Sequence, residues 1–374
     1  MRLGKFKLNH YINYIVIGIL TLVLGGMTLA GNRFDNSLLF LLEKVAISII
    51  LAVSLSLVVG FLGELSLGHA GFMCVGAYLG GKIASLLVPA LGNGLAAFTV
   101  SLLVGAAAAA VCGIIIGIPA LRLRGDYLAI VTLAFGEIVK TIFQNTSDES
   151  FGGTLGLDTP RYDKKYLFII AFVLVLITLA IIQNFIRSKH GRAVTAIRDN
   201  EIAAKATGIN VTKYKLIAFI TSAALAGVAG VLYSYSNYTV QSSKFSYNYS
   251  IEILVMVVLG GMGSINGSIV AAVLITWLNT WLPTVLTGEM AVLQNLLYAL
   301  ILIVIVIYNN APALKGFRDK YNLSVLADKI RRVDSSHIKD DKAKWDVVPT
   351  KISMDEILSV DLTPQDKQNY EGDK

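Results

Sequence analysis

Charge is what this sequence has least of. Only 15% of its 374 residues are Asp, Glu, Lys or Arg, against roughly 25% in an ordinary water-soluble domain, which argues against a soluble globular protein. Cysteine is nearly absent: Cys74 and Cys112 both lie inside apolar runs, where they behave as small hydrophobes. That excludes a disulfide framework and a cysteine metal site. The histidines, His10, His69, His190 and His337, are scattered, and no nucleophile–base arrangement or metal spacing supports a membrane enzyme. A complete nucleotide site is missing too. Gly76, Gly81 and Lys82 have the spacing of a phosphate loop, but Ile83 stands where Ser or Thr must reach Mg²⁺, and no strand precedes. Small-residue helix packing explains these glycines better, so the chain is expected to bind no cofactor itself.

Apolar residues fill the space that charge leaves: 55% of the chain is hydrophobic. They gather in runs at 11–30, 38–60, 71–89, 95–118, 126–144, 166–186, 215–235, 249–262, 267–283 and 290–308. Most approach the ~20 residues an α-helix needs to cross ~30 Å of hydrocarbon. Barrel strands would alternate in short segments instead, so the expected fold is an all-α polytopic membrane helix bundle of about ten spans, eight at the fewest. The run at 249–262 is the weakest member. The run at 11–30, preceded by Arg2, Lys5 and Lys7, exceeds the ~7–15-residue apolar core of a signal peptide and reads as an uncleaved first span.

Residues 313–374 carry twelve basic and twelve acidic residues, so the net charge of +7 belongs to the rest of the chain. There the basic residues cluster in a few connections. With the N-terminus in the cytoplasm, even-numbered connections should be basic. Arg122 and Arg124 fall in one, and Arg187, Lys189, Arg192, Arg198, Lys205, Lys213 and Lys215 in the next. Lys315, Arg318 and Lys320 follow the last run, placing both termini in the cytoplasm of a multi-pass cell-membrane protein. These charges read as topology signals in contact with lipid headgroups, and no nucleic acid is expected as a partner. The expected domains are a transmembrane domain at 1–312, a cytoplasmic loop at 187–215 within it, and a polar cytoplasmic extension at 313–374. The extension has helical spacing at 323–330 and otherwise too little apolar surface for a core.

Glycines interrupt the apolar pattern twice, at 58–71 and at 257–267. Paired interruptions at corresponding points are the expected trace of a duplicated transporter fold with broken helices along the path; glycine-rich turns at the membrane surface are the other reading. Charges near the spans imply a path, a pairing or an interfacial location. Glu64 and His69 lie in a broken segment, Glu137 and Lys140 are neighbours that can pair, Glu43 and Lys44 are placed near a membrane surface, and Glu252 begins the short run.

The segment Gly191–Asn210 is too long for a minimal connection and too apolar for a solvated linker. Asp199 can cap a helix starting near Asn200, with Glu201 in its first turn and Gly208 at its end. Ile202, Ala203 and Ala206 then form a small apolar face that a partner could receive. Glu201, Ala203, Ala204 and Gly208 closely resemble the EAA-loop signature of ABC-importer permeases, except that Ile202 separates Glu201 from the alanine pair. Residues 121–138, 63–72 and 260–267 resemble corresponding segments of LivM-type branched-chain amino acid permeases, so the likeness covers about 40–316.

The resemblance implies an ATP-driven importer permease for leucine, isoleucine and valine, with docking to the ATPase through Arg198, Asp199, Glu201, Ala203, Ala204 and Gly208. The implied partners are a LivH-like second permease, two ATP-binding cassette subunits that use ATP and Mg²⁺, and an extracytoplasmic solute-binding protein. Related permeases carry nucleosides, sugars or urea. A gradient-driven secondary transporter is the competing class, though a docking loop has no evident purpose there. A zwitterion needs groups that accept its ammonium and donate to its carboxylate, which freed backbone at a broken helix supplies. Gly63, Glu64, Ser66, Gly68, His69, Gly71, Gly260, Gly261, Gly263 and Ser264 are the path-lining candidates.

Overall fold

The computed structural model describes residues 35–285 apart from 93, 123–125, 161 and 163, together with 17, 18, 21, 25, 300 and 303. The expected spans at 11–30 and 290–308 therefore lie almost wholly outside the described residues, as do Arg124 and the extension 313–374.

Helix α1 (Asn36–Ser56) starts on Asp35, whose side chain accepts from the Ser37 amide. It widens into a π turn at Leu57–Leu62 and stops at Gly63. There follow α2 (His69–Leu91), α3 (Leu95–Ala120), α4 (Asp126–Gln144), a single turn α5 (Asp148–Phe151), the strand β1 (Leu157–Asp158) and α6 (Lys164–Arg187). Two short helices, α7 (Lys189–Asp199) and α8 (Glu201–Ala206), lead into α9 (Val211–Ser236). The chain continues through β2 (Thr239–Val240), a 3-10 turn at Ser242–Phe245, α10 (Tyr247–Leu259) and α11 (Ile265–Val285).

Seven of these helices are long and apolar enough to cross a membrane, which makes the chain an all-α, multi-pass membrane protein. The thirteen residues of α10 span only about 20 Å, so the run at 249–262 is a helix too short to cross hydrocarbon alone. The two strands pair antiparallel, Leu157 opposite Val240, and clip together the connections at one end of the bundle. This is the hairpin end; α7 and α8 mark the other, the loop end.

Within the bundle, α9 packs on α1, α2 and α3, and α1 also meets α6 and α11. Lipid tails are as apolar as leucine, so such contacts rest on close approach rather than on escape from water. Gly76 shows why the phosphate-loop spacing is a packing device. A Cβ built there would lie 2.3 Å from the carbonyl oxygen of Gly227, so α2 and α9 touch backbone to backbone. Leu103 and Ile115 on α3, and Ile130 and Ile142 on α4, face outward, an apolar rim suited to lipid.

Several charged residues of the bundle have polar partners. Lys140 bridges to Glu137 one turn away, and the other Glu137 oxygen accepts from the Tyr247 amide at 2.8 Å, capping α10. Glu43 is 1% exposed and accepts a hydrogen bond from Ser236, the last residue of α9. It faces α9 because it lies on the side of α1 that turns into the bundle.

Candidate functional site

Ser188 starts α7 by accepting from the amides of His190 and Gly191. Gly191, Ala193, Val194 and Ile197 bury one face of α7, laying it along the loop end. Asn200, extended at φ −160°, closes α7 and opens α8, its side-chain oxygen accepting from the amides of Ile202 and Ala203 at 3.0 Å each. The cap is therefore Asn200. Asp199 belongs to the last turn of α7, and its Oδ1 takes two hydrogen bonds from Arg198 at 3.1 and 3.0 Å. Both residue types cap helices; the one with extended backbone takes the role.

Helix α8 is six residues long. Ala204 is its inward face, while Ile202, Ala203 and Ala206 point outward, with Ile202 77% exposed. Gly208 follows at φ +83°, the left-handed conformation that ends helices and that only glycine adopts without strain.

Behind α8, Lys215, the fifth residue of α9, is 4% exposed. Its ammonium lies 3.1 Å from Glu201 and pairs more closely with Glu64. Glu201 also receives Lys205 at 2.8 Å. The hydrogen bond from Lys205, then that from Lys215, hold the Glu201 carboxyl below its ordinary value against partial burial, which pushes the other way. One buried lysine thus joins the outward-facing helix to the first broken segment.

Arg198 makes a second connection. It donates to the carbonyl of Gly60 at 3.1 Å, and its side chain crosses Gly63 so closely that a Cβ there would lie 2.7 Å from Arg198 Cγ. The two broken segments also meet each other: a Cβ on Gly60 would lie 2.5 Å from the Gly263 amide nitrogen. Gly260 and Gly267 close the second turn on themselves, a Cβ on Gly260 falling 2.3 Å from the Gly267 carbonyl carbon, while Gly261 and Gly263 hold positive φ. Gly263 and Ser264 border a cavity of about 260 Å³ with Phe61, Gln183 and Arg187.

The structure therefore brings Arg198, Glu201, Glu64, Gly63 and Gly263 together at the loop end. Ser66, Gly68, His69 and Gly71 sit elsewhere, packed between helices. Ser66 and His69 are each 2% exposed. The His69 ring nitrogen Nε2 is 2.8 Å from Ser54 Oγ on α1, and the Ala70 amide donates to Ser250 of α10 at 3.1 Å. Gly68 and Gly71 abut Thr132 and Gly136 of α4. Sequence reasoning missed Gly60, Asn200 and Lys215 as site residues. Only Lys215 carried a signal, since a lysine entering an apolar helix must find an acid or water. Among the described residues no group of three or more His, Cys, Asp or Glu could hold a metal.

Residues 37–306 match the family described as branched-chain amino acid transport system / permease component. The chain is 38% identical to the high-affinity branched-chain amino acid transport system permease protein LivM of Salmonella typhimurium over 249 residues, 58% of this chain and 57% of the relative. It is 36% identical to the LivM protein of Escherichia coli with the same coverage. The chain thus spans little more than half the length of each LivM relative. The ribose import permease protein RbsC of Escherichia coli is 28% identical over 265 residues, covering 67% of this chain and 78% of the relative. No solved structure matches. A family match over most of the chain, joined to seven membrane-length helices, places this protein in the branched-chain amino acid transport system / permease component family.

Proposed function

We propose that the chain is a transmembrane permease subunit of an ATP-driven importer, moving leucine, isoleucine and valine delivered by an external binding protein. On this reading the loop end is cytoplasmic and the hairpin end extracytoplasmic, and a LivH-like permease and two ATP-binding cassette subunits complete the assembly. The observation that carries it is the two-sided character of α8. Its outer face offers Ile202, Ala203 and Ala206 to a partner, while Glu201 behind it is ion-paired through Lys215 to Glu64 in the broken segment. An ATPase gripping α8 would pull on the first glycine break through that pair, and on both breaks through Arg198. Gly63, Glu64, Gly263 and Ser264 then act where docking and helix breaks meet, and Ser66, Gly68, His69 and Gly71 hold the broken segment against its neighbours.

Uptake of radiolabelled leucine into vesicles, by the chain co-expressed with its partner permease and ATPase, tests this. Uptake is expected to need ATP and a binding protein. ATP-dependent transport of ribose without leucine would favour a role like that of the ribose import permease RbsC, and gradient-driven leucine uptake by this chain alone would overturn the importer reading.

A further inference from the structure

A second cavity, of about 390 Å³, opens near the hairpin end between α1, α9, α10 and α11. Its volume falls at the small end of the range for sites that hold small molecules, roughly 300–1,000 Å³. Its walls combine features that bundle packing does not need. Lys44 and Lys244 both line it, as does Glu252, and among the described residues neither lysine makes an ion pair. The Lys44 ammonium stands 4.5 Å from the centre of the Phe40 ring and interacts electrostatically with both Glu252 and Lys244. Glu252 accepts from the Asn279 amide. Thr276, 6% exposed, also lines the cavity, and its hydroxyl has no hydrogen-bond partner among the described residues. Met73, Ile47 and Phe245 supply apolar wall.

Lys44 and Lys244 are exposed and Glu252 is half-buried, so all three charges are open to a ligand entering the cavity. A neutral sugar or nucleoside offers no charge to the two lysines or to Glu252. A free α-amino acid carries both signs on one carbon and would match them. Resting on the importer reading above, we propose that this cavity is a binding station for the zwitterion of a branched aliphatic amino acid. Lys44 and Lys244 take its carboxylate, Glu252 takes its ammonium, and Met73, Ile47 and Phe245 receive its side chain. None of the glycine-segment residues borders this cavity, so the station is distinct from the coupled breaks at the loop end. At the end opposite the docking loop, it faces the side from which a binding protein would release its cargo.

The test uses the complete assembly, wild type and with Glu252→Gln, Lys44→Gln or Thr276→Val, in detergent without binding protein. Equilibrium binding of radiolabelled leucine is measured beside binding-protein-dependent uptake in vesicles. Glu252→Gln keeps the side-chain shape and an acceptor for Asn279, and retained ATP hydrolysis confirms an assembled complex. The expected result is leucine binding weakened about tenfold to a hundredfold in Glu252→Gln and Lys44→Gln, the range for losing a hydrogen bond to a charged group. Isoamylamine and isocaproate, each lacking one of the two charges, should compete weakly with leucine on wild type. If wild type imports leucine but binds none directly, or both charge variants bind it as wild type does, the cavity assignment is overturned and the importer reading stands. If wild type imports no amino acid, the importer reading fails and takes this assignment with it.

Discussion

At the entry of α9 a side chain 4% exposed holds two carboxylates, one 14% and the other 26% exposed. Removing the amine of Lys215 leaves Glu64 with an uncompensated charge in a largely enclosed position, and breaking a buried pair in this way costs about 3–5 kcal/mol. Removing Glu201 alone leaves the closer partner in place and a more exposed site, where an ion pair contributes about 1 kcal/mol or less. Lys215→Met should therefore lower the thermal midpoint of the purified protein far more than Glu201→Gln. Equal losses would mean that the relay is not centred on the lysine. Acid separates the same pair. The Glu201 carboxyl titrates below its ordinary value of 4.5 in the folded protein, so its contribution is present above that value and lost as pH falls through the lower, folded one. The midpoint difference between wild type and Glu201→Gln should shrink as pH drops below 4.5, and a difference that grew would reverse the sign argued here. None of this pairing was legible in the sequence, because Lys215 and Glu64 lie 151 positions apart and a single chain records no such proximity.

Helix α8 was legible for the opposite reason, since all its signals are local. An isolated helix of six residues is far below the length that persists in water, so its two ends and its inward Ala204 must hold it. The sequence placed the helix and its outward face but chose Asp199 over Asn200 as cap. Two adjacent cap formers are resolved only by backbone conformation, and Asn200 is the extended one. Replacing Asn200 by Ala should cost about 1 kcal/mol of local stability. A Cβ at Gly208 would meet nothing within 4 Å, so Gly208→Val carries backbone strain of about 1–2 kcal/mol or more without a clash. Ala203→Glu places charge on the docking face. Under the proposed function, all three should insert normally yet hydrolyse ATP with little coupled uptake, the last most severely. Normal uptake in Gly208→Val and Ala203→Glu would remove the docking assignment. Gly60→Ala should fail differently: its Cβ must displace the Gly263 backbone, disturbing assembly itself as well as coupling. That contact between the two interruptions was invisible in the sequence, although the interruptions themselves were plain.

For the molecule as a whole, apolar run length set out eight of the ten expected spans within the described residues, seven as full-length helices and one as the short α10. Run length does not orient them; under the proposed function the excess of Lys and Arg between α6 and α9 does, by placing that connection in the cytoplasm. Two exposed positions make that orientation measurable. Ile202 on α8 is 77% exposed at the loop end, and Leu155 is 73% exposed in the connection that bears β1 at the hairpin end. Cysteines introduced there, in a Cys74→Ala/Cys112→Ala background, can be challenged with a membrane-impermeant thiol reagent. Intact cells should label Leu155→Cys and spare Ile202→Cys, and inverted vesicles should do the reverse. The opposite pattern would put α8 outside the cell, where no ATP-hydrolysing subunit could reach it, and would overturn the docking role whatever the transport assays gave. Labelling of both from one side would contradict the alternation of α6 across the bilayer, and with it the reading of this helix as a span.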